Sequence, residues 1–149
     1  MLVNSPNLPN IDSIMDTSRG KLSALIDLQT PEGTETIHKL LKTTRVLVQG
    51  YRPGALDRFG LSAEALADNY PGIITTSLSA YGHSGPWSER RGFDSLVQTA
   101  TGFNFEEAKA FGQSTPKAMP VQILDYATGF LMAFASQIAL YKQLSLIHI

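Results

Sequence analysis

Three short apolar runs, Leu22–Leu28 (LSALIDL), Arg45–Gln49 (RVLVQ) and Ile73–Leu78 (IITTSL), recur at short spacing and are separated by helix signals. Each run has strand length and is bounded by turn residues, and the second carries β-branched alternation. Before the second run, Thr30 can cap a helix, Pro31 suits its first position and Glu32 its first turn. That helix is predicted to reach about Lys42, with Ile37, Leu40 and Leu41 on one face. Before the third run, Ser62 with Glu64, Ala65 and Leu66 starts a second helix that ends near Asn69. Strand and helix alternating in this way lead to an α/β fold, a parallel sheet with crossover helices.

In open sheets of this kind, ligands bind beyond the carboxyl ends of the strands. Two Gly-rich loops sit there: Gly50-Tyr51-Arg52-Pro53-Gly54 after the second run, and Ala80-Tyr81-Gly82-His83-Ser84-Gly85-Pro86-Trp87 after the third. Two prolines and three asparagines make residues 1–17 extended or loop. Gly92–Thr101 reads as helical and Gly102–Pro120 as loop.

The stretch Val121–Lys142 (VQILDYATGFLMAFASQIALYK) is the most apolar part of the chain. It is near membrane-spanning length, but Asp125 at its start and Ser136 and Gln137 within it favour a core helix. Two roles fit Asp125. It can cap the helix, accepting from the orphan amides of the first turn, or it can be a reactive carboxylate on a rigid element. The local sequence leaves both open.

With 149 residues the chain is about one domain by length. A net charge of −1 gives no bulk attraction to nucleic acid or to an anionic membrane. The absence of cysteine excludes disulfides, thiolate catalysis and Cys-type zinc sites, and fits a reducing compartment. Met1–Asn10 lacks the basic start and apolar centre of a signal peptide. No GxGxxG, GxxxxGK[ST] or GxSxG is present. The histidines His38, His83 and His148 are scattered, which does not suit a metal site. Arg52 with Arg58, and Arg90 with Arg91, remain as forks of the kind that grip phosphate or pyrophosphate.

Four segments in order, GYRPGALDRFGLSAEAL, PGIITTSLSAYGHSGPW, RRGFDSLVQTATG and ILDYATGFLMAF, resemble the class III CoA-transferase family, also called the CaiB/BaiF family. The turn Arg19-Gly20-Lys21 before the first strand fits the same pattern. The resemblance runs from about Ser18 to Gln143. It implies that residues 18–143 are part of a Rossmann-like large domain. Leu144–Ile149 resemble a translated sequencing-library adapter and are expected to be a non-native read-through tail.

The resemblance also implies a chemistry. Family members move CoA from an acyl-CoA to a carboxylic acid through an aspartyl-CoA thioester, work as interlocked homodimers and need no metal or redox cofactor. The family's nucleophilic aspartate falls on Asp125. Its CoA-contacting positions fall on Asp27, Leu28 and Gln29, on Gly50, Tyr51, Arg52 and Arg58, and on Arg91 and Phe93. Arg58 and Arg91 are expected to hold CoA phosphates, and Tyr51 and Phe93 to line the pantetheine or adenine path. Coenzyme A enters as substrate, the location expected is cytoplasmic, and neither membrane nor nucleic acid is expected as a partner.

The chain departs from the family where Gln49-Gly50 replaces the usual Glu-Asn and Arg45 replaces an acid. The chain is expected to be an incomplete fragment of such an enzyme, its own activity left open, and two alternatives stand beside the transferase. A related α-methylacyl-CoA racemase needs two acid–base groups and uses a His where this chain has Phe93. A non-catalytic CoA-binding paralogue would fit the Gln49-Gly50 change.

Overall fold

Strands β1 (Leu2–Asn4) and β2 (Ser23–Leu25) pair in parallel, as do β3 (Val46–Gln49) and β4 (Ile74–Ser77). The computed structural model describes residues 1–8 and 17–146. It resolves into two units, Met1–Arg45 and Val46–Ile149, each taken by itself below. The α/β character with parallel strands agrees with the sequence, and the strands form two separate pairs. The segment read as loop contributes β1, while residues 9–16 lie outside the described part.

In the first unit, helix α1 (Pro31–Leu41) begins where the sequence predicts. Thr30 is the cap, and its Oγ1 accepts from the Gly33 amide at 3.0 Å. Ile37 and Leu41 are buried and Leu40 is half-buried, so the predicted face is the packed one. Gly33 lies so close to the turn that a Cβ there would overlap the Asp27 carbonyl oxygen at 1.8 Å. A side chain at that position would push α1 away from the turn that leads into it.

In the second unit, β3 and β4 run in register from Val46 opposite Ile74 to Gln49 opposite Ser77. The connection between them carries a 3₁₀ turn (Asp57–Phe59) and helix α2 (Ala63–Asn69). Ser62 caps α2 through a 3.1 Å bond from the Ala65 amide, a contact of a kind worth about 1 kcal/mol. Leu61 and Leu66 are buried beneath this crossover.

Helices α3 (Asp94–Ala100) and α4 (Phe103–Ala110) follow. The second corrects the expectation of a loop over Gly102–Pro120. Gly102, at φ +79°, ends α3 in the left-handed conformation, and Glu106-Glu107-Ala108-Lys109-Ala110 are good helix formers that restart the chain as a helix.

Helix α5 (Ile123–Leu146) closes the described chain and packs against β4 and α3. Ser136 is buried at the β4 contact. Its hydroxyl donates to the Met132 carbonyl at 2.8 Å, and the Thr76 hydroxyl therefore donates to Ser136 at 2.8 Å. Further along, Gln143 Nε2 donates to the Gly72 carbonyl at 2.7 Å.

The expectation of a core helix is overturned. Apart from Ser136, residues 123–145 of α5 are exposed or half-buried, and Phe130, Leu131, Phe134 and Tyr141 are all more than half exposed. Among the described elements, β4 and α3 make its main contacts, and they leave most of its apolar side chains exposed. By length and composition α5 could also cross a membrane. It continues through Leu144–Leu146 of the expected tail, and residues 147–149, His148 included, lie outside the described part.

Candidate active site

The carboxyl ends of β3 and β4 open into a cavity of about 200 Å³. Gln49 and Ser77 form its strand-end wall, Arg52-Pro53-Gly54 come from the first Gly-rich loop, and His83 comes from the second. This is where the alternation of elements places a ligand.

The wall is tied together by Gln49. Its Nε2 donates to Ser77 Oγ at 2.9 Å, and its Oε1 accepts from the Tyr51 amide at 2.8 Å. The side chain thus fixes the loop at the moment it leaves β3. Arg52 is exposed at the cavity, and Tyr51 is exposed beside it. Arg58 lies on the 3₁₀ turn outside the cavity lining, its guanidinium 4.6 Å from the Phe59 ring centre.

The second loop is stiffened by aromatic contacts. Tyr81 meets Trp87 edge-on at 5.2 Å, and Arg90 lies 5.0 Å from the Trp87 ring centre. Gly92 then passes so close to Ala80 that a Cβ would stand 2.4 Å from the Ala80 Cβ. The tight crossing delivers Arg91 and Phe93 to the start of α3, both exposed, with Phe93 76% accessible. Among the described residues, Arg52, Arg58 and Arg91 have no carboxylate partner, so their charges are available to an anion.

Asp125 lies in the first turn of α5, whose helix begins two residues earlier at Ile123. It therefore does not cap the helix as the first of the two readings would have it. Its own amide is one of the donors that a helix leaves without an internal acceptor. That amide donates to Asp94 Oδ2 at 2.9 Å. The other oxygen of Asp94 accepts from Gln98 Nε2, and Gln98 Oε1 accepts from the Met119 amide at 3.3 Å. Both Asp94 and Gln98 are buried. The Asp125 carboxyl is raised above its ordinary range, first by loss of hydration and then by the neighbouring Asp94. Because Asp125 is exposed, water screens part of that effect.

Asp27, Leu28 and Gln29 belong to the first unit, where they build the turn into α1. Asp27 Oδ1 accepts from the Gln29 amide at 2.9 Å and Oδ2 from Asn7 Nδ2 at 3.1 Å. The Leu28 carbonyl accepts from Thr34 Oγ1 at 3.0 Å. In the second unit the fold gathers Gly50, Tyr51 and Arg52 at the end of β3. It also sets Phe93 next to the residue that holds Asp125. Asp94, Gln98 and His83 carry no role in the sequence reading. The spacing of Asp94 and Gln98, one helical turn apart, is the signal that a polar pair shares one face.

A model of CoA-transferase family III matches residues 12–145. The chain belongs to that family.

The chain is similar to two proteins named as CoA-transferases. The succinate–glutarate CoA-transferase of Agrobacterium fabrum is 34% identical over 83% of this chain and 30% of its own length. The formyl-CoA:oxalate CoA-transferase of Rhodopseudomonas palustris (strain BisA53) is 32% identical over 92% of this chain and 32% of its own length. A CaiB/BaiF family protein from Brucella suis superimposes with a TM-score of 0.74 at 30% identity, over 85% of this chain and 33% of that one. The chain thus spans about a third of the length of these curated relatives.

Proposed function

We propose that the protein transfers CoA from an acyl-CoA to a carboxylic acid, with Asp125 as the nucleophile. The observation that carries this reading is Asp125 itself, held by its amide at the start of a long helix in a chain of CoA-transferase family III. The carboxylate attacks the thioester carbonyl and CoA thiolate leaves, giving a mixed anhydride. The thiolate then attacks the aspartyl carbonyl, releasing the donor acid and leaving an aspartyl-CoA thioester. The acceptor carboxylate reverses the sequence and regenerates Asp125. The positive end of the α5 dipole suits the negative charge that develops at these centres.

Arg52, Arg58 and Arg91 supply unpaired cationic forks for the CoA phosphates, and exposed Tyr51 and Phe93 supply apolar surface for the rest of the cofactor-like substrate. No metal or redox cofactor enters this chemistry. Phe93 cannot carry a proton, which disfavours the racemase alternative. The apolar side chains exposed along α5 suit an interlocked homodimer, and the acids named for the relatives suit a cytoplasmic metabolic enzyme.

The test is to mix the full-length protein with a panel of acyl-CoAs and measure intact mass before and after hydroxylamine. A hydroxylamine-sensitive CoA adduct that maps to Asp125 and disappears in Asp125→Ala is expected. CoA binding without an adduct from any donor would remove Asp125 from the nucleophile's role and favour the binding paralogue.

A further inference from the structure

We infer that Asp94 is the positioning residue for Asp125, a buried carboxylate on α3 that holds the first turn of α5 by the Asp125 amide. This rests on the reading of Asp125 as nucleophile.

The amide at this position of a helix normally takes its acceptor from a side chain two or three residues earlier. Here the residues immediately before α5, Val121 and Gln122, do not include a Ser, Thr, Asp or Asn. Asp94 does the work from 31 residues away, at 2.9 Å. The bond is charge-assisted and largely withdrawn from water, since Asp94 is only 4% accessible.

The anchor is itself anchored. Gln98, 2% accessible, donates to the free oxygen of Asp94 and accepts from the Met119 amide. One buried pair on α3 thereby grips the chain at Met119 and again at Asp125. Between these two points the backbone has no regular structure until Ile123. Without the pair, nothing else among the described hydrogen bonds fixes where α5 begins relative to α3. The same α3 follows directly on Arg91 and Phe93, so the grip sets the nucleophile against the loop proposed to hold CoA.

After loss of hydration, the charge of Asp94 is what raises the Asp125 carboxyl. A residue that merely supported the fold would place no negative charge beside Asp125. That difference supplies the test. In Asp94→Asn the carboxamide has one acceptor oxygen for two donors, so one of the two bonds is lost and the charge is gone.

The experiment is single-turnover formation of the aspartyl-CoA adduct by full-length Asp94→Asn across pH. The rate at saturating acyl-CoA is expected to fall about tenfold to hundredfold, the size of effect a misplaced reacting group produces. Half-saturation should stay as in the parent, and the acid limb of the profile should move to lower pH. An adduct formed at the parent rate with an unmoved acid limb would overturn the inference. If Asp94→Asn does not fold, hydrogen exchange at the Asp125 amide of the unaltered protein, read by NMR, replaces it. Protection of that amide supports the bond, and exchange as fast as an unstructured amide refutes it. Failure of the unaltered protein to form any adduct at Asp125 would instead refute the transferase reading, with the amide measurement still deciding the contact.

Discussion

Gln49 and Ser77, opposite each other at the ends of two parallel strands, share a side-chain hydrogen bond of 2.9 Å, and the same Gln49 receives the Tyr51 amide at 2.8 Å. Gln49 is the clasp of the loop. Gln49→Ala removes both bonds and leaves the Tyr51 amide to water. We predict a loss of roughly 1–2 kcal/mol in urea unfolding and weaker CoA binding by calorimetry, because the Arg52 loop is no longer held. Gly50 beside it has no left-handed φ and nothing within 4 Å of a built Cβ. Gly50→Asn should therefore leave stability within about 0.5 kcal/mol. A large loss in that variant would mean that the loop geometry is wrongly described.

The arginines make a prediction about salt. Arg58 and Arg91 are exposed and have no carboxylate partner among the described residues. If they meet CoA phosphates, Arg58→Ala and Arg91→Ala should each weaken CoA binding about tenfold, the scale of one charge-assisted contact. The loss should shrink as salt is added, because exposed charges are screened. Replacement by Lys should recover only part of the affinity, since the ammonium group lacks the planar fork. Equal affinity in parent and Ala variants at low salt would remove that arginine from the phosphate site.

Much of this was legible in the sequence because local chemistry decided it. Thr30 and Ser62 announced α1 and α2, and both caps form as their residue types require. The Gly-rich loops fell at strand ends because strand and turn signals are short-range. Asp94 was not legible. Its function is a bond to an amide 31 residues away, which no window of sequence contains. The exposure of α5 was hidden for the opposite reason: its composition is that of a buried helix, and only the packing reveals that its contacts, mainly to β4 and α3, leave its apolar side chains exposed. Helix α4 was missed because Gly102 at one end of the segment and Pro116 and Pro120 at the other outweighed five good helix formers.

Gly92 offers a steric test of the second loop. A Cβ there would stand 2.4 Å from the Ala80 Cβ and 3.1 Å from Tyr81 Cε2. The Ala80 Cβ is fixed to backbone, so the loop and the start of α3 must part to admit a methyl group. Gly92→Ala should cost about 1–3 kcal/mol in chemical denaturation, as overpacking does. It should also lower CoA affinity if Arg91 and Phe93 depend on this crossing for their placement. Unchanged stability would show that the two segments do not meet so closely.

The ionisation of Asp125 makes the last prediction. Its carboxyl is raised by loss of hydration and by Asp94, although the start of a helix would by itself favour the charged form. A raised folded-state value means that the folded protein disfavours the carboxylate, so at neutral pH Asp125 costs stability. As pH falls through the folded value that cost is relieved, and below the ordinary Asp range, about 4, the group is neutral in both states and contributes nothing. Asp125→Asn keeps the shape and the amide that Asp94 holds but removes the charge. Its melting temperature should exceed that of the parent at pH 7, and the difference should close by about pH 3. Calorimetry at the two pH values measures this directly. A variant less stable than the parent at pH 7 would mean that the helix end stabilises the carboxylate after all, and the raised ionisation would then be excluded as the origin of any acid limb in the rate profile.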